Sequence, residues 1–142
     1  HDRLAQLGAD LLVRTVAAIA DGTATRTPQR EEDVTLAPML SRALSPMDFA
    51  RPARALHDQV RGLIPWPAAV TELNGVRCKI LRTIVCPETT GKAPGTVLQA
   101  DKHGLKLACG EGTVLQIEEL QADGGKRLRA VDYLRGHPVP VG

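Results

Sequence analysis

PGTVLQADKHGLKLACGEGTVLQI, from Pro94 to Ile117, is the stretch whose reading decides the fold. Its polarity alternates residue by residue. Two clusters of turn formers interrupt it, at Asp101–Gly104 and at Gly110–Gly112. Alternation at period two sends successive side chains to opposite faces of an extended chain. The stretch therefore predicts three short antiparallel strands, Thr96–Ala100, Leu105–Ala108 and Thr113–Leu120, each with one face in a core. Gly110-Glu111-Gly112 reads as a tight turn and not as a phosphate cradle, because no Gly-Lys-Ser/Thr follows it and no helix stands behind it.

Upstream, Ala69–Leu73 and Val76–Val85 flank Asn74–Gly75, the strongest short hairpin signal. Before them, Arg51–Leu63 predicts a helix with Leu56, Val60 and Leu63 as its apolar stripe and Pro52 in its first turn, where the missing N–H would be unpaired anyway. Pro65-Trp66-Pro67 stops that helix, and Trp66 is expected to plug the contact between helix and sheet. Downstream, Asp123–Gly125 is a turn, Arg127–Arg129 adds a short edge, and Ala130–Arg135 is a terminal helix. The Pro/Gly-rich tail His137–Gly142 is expected to fray.

The first part of the chain has a different character. Leu4, Leu7, Leu11, Leu12, Val16 and Ile19 recur on one face of a helix over Arg3–Ala20, with Gly22 placed to cap it. Thr23–Pro46 reads as a linker, with Pro28, Pro38 and Pro46 and the acidic run Glu31-Glu32-Asp33. The expectation is a mainly β fold with flanking helices, a small OB-like barrel in residues 47–142, preceded by a helix in residues 1–22 and a linker in residues 23–46. There is no internal repeat. The chain opens on His1 and runs directly into a helix, so it is expected to begin inside a longer protein.

With 142 residues and 43% hydrophobic content, the chain has enough material for one soluble domain with a core and an appendage. Aromatics make up only 2%, namely Phe49, Trp66 and Tyr133. A nucleic-acid partner would therefore be held by phosphate charge and shape more than by base stacking. Net charge is +2, unevenly spread: −1 over residues 1–44 and +3 over residues 45–142. Such an excess permits an anionic partner without requiring one. Cys78, Cys86 and Cys109 match no zinc or redox spacing and read as reduced thiols of a cytosolic protein. No signal peptide or membrane span is present, so no membrane partner is expected.

Catalysis needs a nucleophile or an acid/base pair held by partners. His1, His57, His103 and His137 are scattered over a terminus, a helix, a turn and the tail. Glu118 and Glu119 are adjacent on a strand and point to opposite faces. No His-x-x-x-His, Cys-x-x-Cys or Gly-x-Ser-x-Gly occurs, so no catalytic site, bound cofactor or metal is expected within this chain. The basic residues are the remaining candidates. Arg77 and Lys79 share a strand face opposite Val76, Cys78 and Ile80, with Arg82 further along. Lys102 and His103 sit on a hairpin tip with Lys106 beyond, and Lys126, Arg127 and Arg129 cluster before the last helix. Such positions can track a phosphate backbone. They equally fit a solubilising surface.

The order and spacing of several segments resemble the methionyl-tRNA formyltransferase family. They include Val60-Arg61 through Pro65-Trp66-Pro67, the Pro94-Gly95 start, Ala108-Cys109-Gly110-Glu111-Gly112, and the ending LQADGGKRLRAVDYLRG. DRLAQLGADLLVRTVAAIADGTATRTPQ is similar to the last helix of that family's catalytic domain and its exit. The resemblance implies that this chain is the C-terminal part of a one-carbon transferase, cut off from its N-terminal catalytic domain. That domain would bind the co-substrate 10-formyltetrahydrofolate and carry an Asn, a His and an Asp, all preceding this chain, so the fragment alone would be inactive. The barrel and linker would offer a basic surface to initiator methionyl-tRNA, in translation initiation in the cytoplasm. Arg42 matches a basic position of the family's Lys-Leu-Ser-Lys linker motif, whereas Met39 falls where its first Lys is common and Ala43-Leu44 replaces an acidic pair. The alternatives are the similar barrel of a sugar-nucleotide formyltransferase and a stand-alone OB-like binding module.

Overall fold

The computed structural model describes residues 2–142, so His1 lies outside it. The chain forms two compact units that divide between Pro38 and Met39. In the first, helix α1 (Asp2–Ala20) ends as its sequence predicts. Gly22 takes φ +69°, Thr23 N–H reaches Ala18 O at 2.9 Å and Gly22 N–H reaches Ile19 O at 3.2 Å. That pair of bonds ties off carbonyls the helix end would otherwise leave open. The apolar stripe of α1 is exposed along its whole length.

The second unit contains α2 (Ala53–Gly62), β1 (Ala69–Leu73), β2 (Val76–Thr89), β3 (Val97–Asp101), β4 (Gly104–Ala108), β5 (Thr113–Ala122), β6 (Arg127–Arg129) and α3 (Ala130–Tyr133). The strands form one antiparallel sheet in the order β1-β2-β5-β4-β3, with β6 also paired to β5. Asn74 and Gly75 take φ +47° and +77°, which gives the β1–β2 hairpin its tight turn. β2 outruns its predicted end, and register shifts around Leu81 and again after Cys86 let it bend. The sheet is curled but not closed, because β1 and β3 share no ladder.

The predicted stripe of α2 serves two clusters. Leu56 packs with Ala53, Cys109 and Leu115. Val60 and Leu63 join the main core with Ile80, Leu105, Ile117, Leu120 and Tyr133. Each such leucine or isoleucine contributes about 1.5–3 kcal/mol by leaving water. Gly110 fixes how the helix start meets the sheet. A Cβ there would stand 1.9 Å from Ala50 O, and Gly110 N–H lies within hydrogen-bonding reach of Phe49 O (2.9 Å) and Arg51 O (3.0 Å). Only glycine permits that approach.

Four expectations need correction. β4 is buried on both faces rather than one, since Gln116 covers Gly104 and Leu107 and Ala108 lie inside the curl; only Lys106 is partly exposed. Trp66 is 52% exposed and plugs nothing. The chain reverses at this point, with Ala68 N–H bonded to Leu63 O at 2.9 Å. Leu63 and Ala68 therefore fill the interior while the residues between them stay outside. The terminal helix stops at Tyr133, where the amides of Gly136 and His137 turn back onto Tyr133 O. Finally, the tail does not fray. Val139 is buried, His137 stacks on Tyr133 at 4.4 Å, Asn74 Nδ2 donates to Pro138 O at 3.0 Å, and Gly142 N–H bonds to Val97 O at 3.0 Å. The tail thus runs from the β1–β2 turn to β3, along the side where the sheet stays open.

Candidate nucleic-acid interface

Ladder register decides which cations meet. Residues directly opposite each other on paired strands share a face. Lys79 faces Val70 on β1 and Gln121 on β5, and Gln121 faces Arg127 on β6. One outward row thus crosses four strands. Arg82 faces Glu119, which in turn faces Arg129, so a second outward row lies beside the first. Arg77 stands two residues from Lys79, opposite Glu72. Ile84, Gln116, Lys106 and Gln99 continue the outward face across β2, β5, β4 and β3.

Arg82 reaches this face only because of the register shift at Leu81. Strict alternation from Lys79 would turn it toward the core. The shift instead buries Thr83, whose hydroxyl meets His57 Nδ1 at 3.0 Å. Among the described residues no carboxylate is bonded to His57, so this part-buried pair lacks the group that would orient a catalytic imidazole.

Carboxylates modulate the face, and sequence reasoning missed them. Glu119 binds Arg127 through Nε at 2.7 Å and through a second, shorter contact from Nη2, and it lies 3.9 Å from Arg82. Its signal was its place opposite two arginines, visible only with the register known. Glu88 accepts a bond from Lys106 Nζ at 2.6 Å. That bond raises the Lys106 pKa and lowers that of Glu88, so both stay charged around neutrality. Arg77, Lys79, Lys126 and Arg129 form no ion pair among the described residues and are free to meet an anion. Lys126 sits in the β5–β6 turn beside this face.

Lys102 and His103 occupy the β3–β4 turn. They line a small polar recess with Arg129, Gln116 and Glu118, which links the hairpin tip to the β6 cluster. The turn is held by Asp101, whose carboxylate accepts from His103 N–H at 2.8 Å and from Gln99 at 2.9 Å; these bonds lower its pKa. Arg42 lies on none of the strands. It stands on a 3₁₀ turn, Arg42–Leu44, tied to α2 by the Gln59 amide.

Burial pushes the Cys78 thiol up and the Cys109 thiol to about 11, and it raises Cys86 too, with the Glu88 carboxylate adding to the rise. Neutral thiols are poor nucleophiles. Among the described residues no cluster of His, Cys, Asp or Glu suits a metal ion, and no helix is long and apolar enough to cross a membrane. Unpaired cations at strand spacing on a sheet face are chemically suited to phosphate oxygens.

Comparison with known proteins agrees on the origin of this sheet. Residues 40–138 match the model of the family described as formyl transferase, C-terminal domain. The methionyl-tRNA formyltransferase of Enterococcus faecalis is 42% identical over 135 residues, which is 95% of this chain and 43% of that protein. That of Pelobacter propionicus is 44% identical over 142 residues, all of this chain and 44% of that protein. The chain therefore spans less than half the length of these curated relatives. Among solved structures, a variant of HypX from Aquifex aeolicus aligns with TM-score 0.62 at 17% identity, over 94% of this chain and 24% of that one. HypX in complex with tetrahydrofolic acid aligns with TM-score 0.59, also at 17% identity, over 88% of this chain and 22% of that one. At such identity the likeness is one of fold.

Proposed function

Because the chain belongs to the formyl transferase, C-terminal domain family, we propose that it is the tRNA-binding C-terminal part of a methionyl-tRNA formyltransferase. The observation that carries this reading is the outward face on which Arg77, Lys79 and Arg82 of β2 and Arg127 and Arg129 of β6 converge across β5. A rigid sheet loses little conformational freedom on binding, so its cations meet phosphates at small entropic cost. They contact the backbone and not base edges, so they position an RNA helix without reading its sequence. In this reading the chain holds the initiator methionyl-tRNA while the N-terminal catalytic domain uses 10-formyltetrahydrofolate as formyl donor. The chain alone transfers no formyl group and needs neither metal nor membrane, and the whole enzyme serves translation initiation in the cytoplasm.

The test is titration with initiator tRNA at low and high salt, beside a nucleotide-sugar control. The reading expects tRNA affinity to fall steeply with salt, with a contribution of about 0.9 to the logarithmic slope from each phosphate neutralised. The nucleotide sugar should not bind. Absence of tRNA binding even at low salt would refute the reading.

A further inference from the structure

The second unit carries another surface, of opposite character. Between the turn Arg42–Leu44 and α2 runs a groove whose apolar walls are Leu40, Leu44, Ala55, Gly62 and Leu63. Leu40 and Leu44 remain 45% and 44% exposed. Immediately after Leu63 come Ile64, 44% exposed, and Trp66. Large apolar side chains gathered at a surface mark an interaction site. One polar atom agrees. Gln59 gives its amide hydrogens to Leu44 O at 2.8 Å and Pro46 O at 3.0 Å, which leaves its Oε1 buried in the groove wall without a donor. A buried acceptor of this kind is ordinarily matched by an N–H. The wall is also held from behind, since Met47 N–H and Ser45 O bond to Val70 of β1 at 2.9 Å and 2.7 Å.

We infer that this groove, with Ile64 and Trp66, is where the N-terminal part of the same longer polypeptide docks. The relatives carry more than half their length outside the stretch this chain matches, so a covering body of that size is at hand. Charge argues against RNA as the occupant. The groove holds one cation, Arg51, and one anion, Asp58, whereas phosphate binding needs the cationic excess found on the strand face. The inference rests on the proposed function for what that N-terminal part is, namely the catalytic domain.

Hydrogen exchange, measured on this chain alone and on the longer polypeptide that carries it, tests the docking. Amides in residues 40–44 and 62–66 should exchange at least about tenfold more slowly in the longer polypeptide, the scale of one buried aromatic anchor. Trp66→Asp should return them toward the isolated rate. Leu44→Asp and Trp66→Ala serve as further variants at exposed positions, and Arg77→Ala should leave the protection intact. Equal exchange in the two proteins overturns the inference. Protection that grows with concentration of the isolated chain names a second copy as occupant and also overturns it, as does protection brought to the isolated chain by tRNA. A longer polypeptide that formylates methionyl-tRNA without protecting these amides sinks the docking alone. One that protects them without formylating methionyl-tRNA supports the docking and sinks the functional reading.

Discussion

The outward face of β2, β5 and β6 and the groove beside α2 are both solvent-facing, yet they differ in what holds them and in what they offer. On the strands, charged side chains stand at positions set by ladder register, trimmed by Glu119 and Glu88. Beside α2, Leu40 and Leu44 stand half in water next to a fixed amide whose acceptor is unmatched, and Trp66 follows the helix half exposed. Exposed charge on a sheet costs little and suits a partner that dissociates with salt. Exposed apolar surface is costly in water and suits a partner that stays. The pair of surfaces fits a part that holds a soluble anion on one side and a protein body on the other.

The largest effect is expected where both surfaces share a support. Gly110→Ala drives a methyl into the Ala50 carbonyl, against backbone that cannot rotate away. It should cost about 3 kcal/mol or more, at or beyond the usual range for overpacking. Thermal melting should show early unfolding and the loss of both surfaces together; a near-native melting temperature would show that the contact relaxes.

Alkaline pH should act on the shared core next. Tyr133 is raised from 10.0 to about 12 and Cys109 from 9.0 to about 11, both by burial. Acids raised in the folded state favour folding below their unfolded values, and that stability is lost as pH climbs through the folded ones. Stability should hold to about pH 9 and then decline toward pH 12 in denaturant titrations at stepped pH. A flat profile over that range would mean that these groups ionise at the same pH folded and unfolded.

The strand face can then be changed in both directions. Arg77→Ala with Lys79→Ala removes two unpaired cations. It should flatten the fall in tRNA affinity over a fourfold rise in salt by about tenfold, with the melting temperature little moved. An unchanged salt slope would place the RNA elsewhere. Glu119→Gln should have the opposite sign and a smaller size, because it frees Arg127 and Arg82 and steepens the slope. The smallest effect belongs to the apolar surface in the isolated chain. Trp66→Ala should change stability by less than about 1 kcal/mol, since its ring is half in water and the 3–5 kcal/mol of a buried aromatic does not apply.

Much of this was legible in the sequence because it is local. Alternation in Pro94–Ile117, Asn74–Gly75 and the α1 stripe with Gly22 each need only nearby residues to express their preference. The basic candidates on β2 were also readable as far as Lys79, where alternation is strict. Arg82 was named as well, but its face was not legible, because one extra residue in the ladder reverses every face after it. Trp66 misled for a related reason. Its size predicts burial, but the reversal between Leu63 and Ala68 leaves no interior volume for it.

By itself, the chain's order of apolar, polar and turn residues determined a mainly β unit with flanking helices and singled out its basic residues as candidates, because those patterns act over a few residues. Tertiary structure alone decided that the sheet stays open, that the tail from Pro138 to Gly142 runs along its open side, that Glu119 stands between two arginines, and that Trp66 faces water. Each depends on which distant segments meet. That is settled by the packing of the whole core and by the register of its ladders, neither of which any short window of sequence contains.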